Sequence, residues 1–144
     1  MIKTNKAFTV FEIVIACFVT ILIAAMLVAS MPSTLRKARG QEAATALRAI
    51  RNAMNLNFNK TLDYRLKSDG TNFPATPFNV VGNIPGYEKA GCLTGSYYKD
   101  SDNRVLGLGA NIFTVRAYGT RPGVQNVDLM IRESGDVFWI PLPN

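Results

Sequence analysis

The stretch that decides the fold is Phe8–Met31, FTVFEIVIACFVTILIAAMLVASM. Apart from the Cys17 thiol, Glu12 is its only ionisable side chain, and a helix of about 20 apolar residues crosses the hydrocarbon core of a bilayer. The apolar run is longer, and interrupted by fewer polar residues, than the core helix of a soluble domain requires. We therefore expect Phe8–Met31 to enter a membrane as a helix, in which hydroxyls such as that of Thr20 bond to carbonyls one turn back.

The charges on either side of this run bear on its orientation. Lys3 and Lys6 precede it and no acidic residue does, which favours a cytoplasmic start and an extracytoplasmic downstream domain. A second basic cluster, Arg36, Lys37 and Arg39, follows the run and competes with the first. This cluster fits lipid headgroups, acids of a neighbouring subunit, or plain solvation.

Two general classes of targeting segment fit a short basic start and an apolar run. A cleaved signal peptide has a shorter apolar core, of about 7–15 residues, although Val28-Ala29-Ser30 offers a small-residue cleavage site. A plain signal anchor accounts for the length but not for Glu12. A carboxylate within a membrane helix is costly, and such residues commonly mark a function or a partner.

Lys6-Ala7-Phe8-Thr9-Val10-Phe11-Glu12 resembles the processing motif of type IV pilins and type II secretion pseudopilins. The resemblance implies cleavage by a prepilin peptidase between Ala7 and Phe8 and N-methylation of Phe8. It also implies filament assembly through Glu12, which would pair with the N-terminal amine of a neighbouring subunit. The sequence departs from the family in having Ala7 where Gly is usual, and in having its first proline, Pro32, only at the end of the run, where a kink is expected.

Downstream residues indicate an α+β domain. The sequence divides into a leader (1–7), a transmembrane and assembly helix (8–32), an amphipathic helix (33–58), a connecting loop region (59–110) and an antiparallel sheet (111–144). The helix carries an apolar stripe at helical spacing, which should pack on the sheet from about Ala43 onward: Ala43, Ala46, Leu47, Ile50, Met54 and Phe58.

Strand signals concentrate in the last third of the chain. Ile112–Tyr118 is rich in β-branched and aromatic residues, Val127–Arg132 alternates, and Val137–Ile140 follows a turn at Glu133–Asp136. A further short strand is expected at Leu93–Tyr98. With the preceding helix, these strands give the arrangement that the pilin resemblance implies, a long helix packed on a small C-terminal antiparallel sheet.

Few residue patterns support catalysis or metal binding. The chain has no His, so the usual general base and nitrogen ligand are missing, and we expect no enzyme activity, no metal and no cofactor. Asp100, Asp102 and Asn103 have the oxygen ligands that calcium prefers, but a plain polar loop is the simpler interpretation. Cys17 and Cys92 lie too far apart along the chain's expected fold to form an intramolecular disulfide.

The function that these features favour is a structural subunit of a pilus-like filament. It would reside in the inner membrane as a precursor and in a surface pilus or periplasmic pseudopilus once assembled. Its implied partners are copies of itself, the prepilin peptidase, an inner-membrane platform protein and an assembly ATPase. A type II secretion pseudopilin, or a signal-anchored extracytoplasmic binding domain that never polymerises, remain alternatives. The formal charge of +6 also allows contacts with DNA phosphates.

Overall fold

The chain, in a computed structural model that describes residues 9–89, 93, 95–125 and 127–141, folds as two compact units, 1–35 and 36–144. A single long helix, α1 (Val10–Thr61), contributes to both. Its residues are helical on both sides of position 32. The predicted transmembrane and amphipathic segments are therefore both helical, and the second ends three residues later than the sequence indicated.

The predicted apolar stripe of α1 forms one wall of the core in the second unit. Ala43, Leu47, Ile50 and Met54 have no exposed surface, and Phe58 packs against them at the margin. Burial begins at Gly40 and becomes complete at Ala43, which agrees with the predicted start of packing. Because a buried aliphatic side chain contributes about 1.5–3 kcal/mol, this stripe is a main source of the domain's stability.

The opposite wall is a five-stranded antiparallel sheet in which sequential strands are neighbours. Its strands are β1 (Phe78–Asn79), β2 (Asn103–Leu108), β3 (Phe113–Ala117), β4 (Val127–Arg132) and β5 (Val137–Pro141). The inner face contributes Val105, Val115, Leu129 and Ile131, all without exposed surface. The α+β class and the three strands predicted after residue 111 are confirmed, as is the turn at 133–136.

The segment 59–110 is more than a connecting loop, which corrects the sequence-based division. It supplies β1 and β2 to the sheet and several core side chains, namely Tyr64, Phe73, Phe78, Val80, Ile84, Tyr98 and Val105. The strand expected at Leu93–Tyr98 is wrong, because the described residues of that stretch form no ladder. The backbone of residues 95–98 is instead held by side chains of other elements, as the next subsection describes.

Side-chain contacts also join the sheet and its turns to the rest of the domain. The Tyr98 hydroxyl donates to the Val127 carbonyl at 2.8 Å, and burial, followed by nearby carboxylates, raises the pKa of this tyrosine to about 12. Arg51 of α1 donates to the Glu133 and Ser134 carbonyls of the β4–β5 turn, at 2.9 and 3.2 Å. The Trp139 ring lies so close to Gly40 that any side chain there would collide with it.

The C-terminal end of α1 is capped by a leucine in a backbone conformation that favours glycine. Leu62 has φ of 57°, in the left-handed region, and its amide donates to the Phe58 carbonyl at 2.6 Å. Glycine is the usual residue at this position of a helix end because a Cβ is disfavoured there. The Leu62 side chain is 73% exposed, so no packing within the described chain offsets the strain.

Leu62→Gly should therefore raise the free energy of unfolding by about 1 kcal/mol. The matched control is Leu56→Gly, an exposed leucine in the helical part of α1, where the same change should lower the free energy of unfolding by about 1 kcal/mol. Denaturant unfolding of the detergent-solubilised chain can be followed by the fluorescence of Trp139, its one tryptophan. Equal destabilisation by both changes would contradict the assignment of strain to Leu62.

Candidate functional site

The N-terminal part of α1 is an apolar helix without protein cover. Val10–Val28 is long and apolar enough to cross a membrane, and none of it is buried inside the protein. Large side chains stand exposed all round it, among them Phe11 (72%), Phe18 (62%), Ile21 (66%) and Met26 (72%). A helix that is apolar on every side is stable only in lipid or among other helices.

Polar groups inside this segment are satisfied locally. The Thr20 hydroxyl donates to the Ala16 carbonyl at 2.7 Å, as the sequence indicated, so it presents no free donor to an apolar environment. Cys17 is a free, exposed thiol on the same helix, and its predicted lack of pairing with Cys92 is untested because Cys92 lies outside the described residues.

Glu12 belongs to a capping box at the start of the helix. Thr9 is the N-cap, and its hydroxyl accepts a hydrogen bond from the Glu12 amide at 3.3 Å. In return, the Glu12 carboxylate accepts from the Thr9 amide at 2.8 Å and from the Thr9 hydroxyl at 3.0 Å. The Thr-x-x-Glu spacing is the sequence signature of this motif, and the same residues also match the processing motif.

The two bonds from Thr9 go to the same oxygen of Glu12. Both end on Oε2, and within the described residues no donor reaches Oε1. A carboxylate has about four acceptor positions, so this geometry leaves Glu12 with capacity for another donor. The predicted cleavage and methylation residues, Ala7 and Phe8, lie outside the described residues, and their relation to Glu12 remains a prediction.

The basic cluster after the apolar segment divides into residues with different roles. Arg36 and Lys37 are exposed. Arg39 donates from Nη1 to the Gly123 carbonyl at 3.1 Å, and its guanidinium lies 4.8 Å from the centre of the Tyr97 ring. Arg39 thus stabilises the domain, and only Arg36 and Lys37 remain candidates for headgroup or subunit contacts.

A carboxylate that the sequence did not single out, Glu42, holds the stretch 95–98 to the helix. It accepts hydrogen bonds from three successive amides, those of Ser96 at 3.0 Å, Tyr97 at 2.9 Å and Tyr98 at 2.8 Å. Arg121 secures the same stretch by donating to the Gly95 and Ser96 carbonyls, at 3.1 and 2.6 Å. These bonds replace the strand ladder that was expected here.

The acidic residues considered for calcium have protein donors instead. Asp102 Oδ2 accepts from the Lys99 amide at 2.8 Å and from the Thr120 hydroxyl at 3.0 Å, and Asp100 Oδ1 accepts from the Leu93 amide at 2.9 Å. Among the described residues, no group of three or more acidic, Cys or His side chains is arranged to hold a metal ion. Asp100 and Asp102 accordingly organise the turn before β2.

Comparisons with known proteins found no match to a family model, to a curated protein or to a solved structure.

We expect Glu42→Ala to free residues 95–98 from the helix. The amides of Ser96, Tyr97 and Tyr98 should then exchange with solvent at least about tenfold faster, since their shared acceptor is lost. Hydrogen–deuterium exchange of the full chain measures this effect directly. The control is Gln41→Ala, an exposed neighbour on the same helix, which should leave these amides protected. Unchanged protection in Glu42→Ala would contradict the role assigned to Glu42.

Proposed function

We propose that this chain is the precursor of a filament subunit of the type IV pilin class, anchored by α1 before assembly and polymerised through it afterwards. The observation that carries the proposal is Glu12, an acid with one oxygen that no donor among the described residues reaches, at the start of a fully exposed apolar helix. The resemblance of residues 6–12 to the prepilin motif supports the same interpretation.

The energetics of the helix support a role in assembly. In lipid, Val10–Val28 is covered, whereas in water its apolar side chains would each forgo about 1.5–3 kcal/mol of burial. Once subunits leave the membrane, only neighbouring copies of the same helix offer equivalent cover. A bundle of such helices at the centre of a filament is the simplest assembly that meets this requirement.

Glu12 supplies the register that an all-apolar helix lacks. Apolar helices slide past one another at little cost, whereas a buried carboxylate must meet a cation or lose several kcal/mol. Cleavage after Ala7 would create an ammonium at Phe8, and a Phe8 amine from a neighbouring subunit would reach Oε1 only at one axial stagger. Pairing of this kind contributes specificity more than stability.

The capping box favours a second candidate, a signal-anchored extracytoplasmic domain that does not polymerise. In that case Glu12 satisfies the orphan amide of Thr9, needs no neighbour, and the helix remains in the membrane. The chain would then keep its N-terminal residues. The two candidate functions therefore differ in what they require of Glu12. Filament assembly requires its negative charge, whereas a signal anchor requires only that its side chain accept a hydrogen bond.

Processing is tested first by mass spectrometry of the N-terminal peptide of protein from the native cell. We expect a chain that begins at Phe8 and is one methyl group heavier than its sequence. Ala7→Gly should be cut equally well, whereas Ala7→Leu should block cutting because the junction requires a small side chain. A mature chain that begins at Met1 would favour the signal anchor, and one that begins near Met31 would favour a secreted domain.

Assembly is tested by variants that separate charge from capping. Glu12→Gln retains a capping-box residue but removes the charge, and it should lower the sheared filament fraction at least about tenfold, since an uncompensated buried ammonium costs about 3–5 kcal/mol. Thr9→Ala removes the cap partner but keeps the carboxylate, and it should still assemble. Assembly by Glu12→Gln, or by Glu12→Leu, would overturn the pairing role.

A further inference from the structure

The sheet has an outer face, turned away from α1, on which arginines and aromatic side chains are concentrated. The register aligns one row directly across four strands, Arg104 with Arg116, Arg116 with Met130, and Met130 with Phe138. Arg132 lies two positions along β4 from Met130, and Tyr118 directly follows β3. We call these residues the outer arginine face: Arg104, Arg116, Tyr118, Met130, Arg132 and Phe138.

The guanidinium groups on this face lie against the aromatic rings. Arg116 lies 4.6 Å and Arg104 5.9 Å from the centre of the Tyr118 ring, and Arg132 lies 5.4 Å from that of Phe138. Such contacts orient the planar guanidinium groups and limit their motion. The result is a platform of cations and rings that forms before any ligand arrives.

The outer arginine face carries more positive charge than the carboxylates paired with it neutralise. Arg104 and Arg116 are direct cross-strand partners, with Cβ atoms about 4.5–5.5 Å apart, and like charges at such positions destabilise a sheet. One carboxylate offsets part of this charge, since Asp128 forms an ion pair with Arg116 at 2.6 Å. Within the described residues neither Arg104 nor Arg132 forms an ion pair, although Glu133 and Asp136 lie in the turn beyond Arg132.

We propose that the outer arginine face binds single-stranded nucleic acid. Unpaired arginines supply phosphate contacts, and the exposed Phe138 ring (42%) and the guanidinium planes offer surfaces on which unpaired bases stack. The open face of a sheet inserts no element into a duplex groove, so a single strand with accessible bases fits it better than a duplex. This proposal does not depend on filament assembly.

The test is fluorescence anisotropy of a labelled oligodeoxythymidylate with the full chain in detergent micelles. Arg104→Gln with Arg132→Gln should weaken binding about tenfold or more and lower the slope of log affinity against log salt by about 0.7 per arginine. The matched control is Arg48→Gln with Lys60→Gln, which removes the same charge from exposed positions on α1 and should have a much smaller effect.

A third variant separates stacking from charge. Phe138→Ala keeps every charge and should weaken binding about tenfold without changing the salt slope, because stacking on an aromatic ring is lost. Equal losses in the control pair, or no loss in Phe138→Ala, would overturn the proposal. Tighter binding to duplex DNA of equal length, or an arginine-dependent binding to anionic phospholipid vesicles alone, would also overturn it.

Discussion

The domain depends on one contact, the packing of the apolar stripe of α1 against the inner face of the sheet. Leu47, Ile50 and Met54 have no exposed surface, and neither do Leu129 and Ile131 opposite them. Three further interactions in 36–144 support this contact. Arg51 draws the β4–β5 turn to the helix, Gly40 admits the Trp139 ring, and Glu42 fixes the stretch 95–98.

The same helix meets two different environments along its length. From Ala43 onward it is amphipathic and uses its apolar side for the core of its own domain. Between Val10 and Val28 it is apolar on all sides, long enough to cross a membrane, and none of that surface is buried inside the protein. The polar side chains follow this division, because Thr20 and Glu12 bond to groups within one turn, whereas Glu42 and Arg51 bond to backbone groups distant in sequence.

The sequence predicted the elements whose signal is local. The helical stripe, the strands after residue 111 and the turn at 133–136 follow from periodicity and turn residues alone. β2 was missed because Leu106-Gly107-Leu108-Gly109 reads as a loop, although the register shift between Val105 and Gly107 accommodates it in the ladder. Leu93–Tyr98 has residues that suit a strand, but its backbone bonds to a helix carboxylate distant in sequence, which no local pattern encodes.

The candidate sites differ in the same way. Glu12 and its neighbours could be recognised from spacing, including the capping box that spacing also encodes. The outer arginine face could not, because it exists only once four strands are in register and Arg104 lies beside Arg116. Arginines that lie far apart in the sequence form one positively charged surface only when their strands pair.

The two edge strands of the sheet determine how readily it can pair with the sheet of another molecule. β1 is two residues long, and β5 ends at Pro141, which has no amide to donate. Both edge strands of the sheet, β1 and β5, are therefore poor templates for pairing with a strand from another molecule. At high local concentration, therefore, these edges give the sheets of neighbouring molecules little opportunity to pair through their backbones.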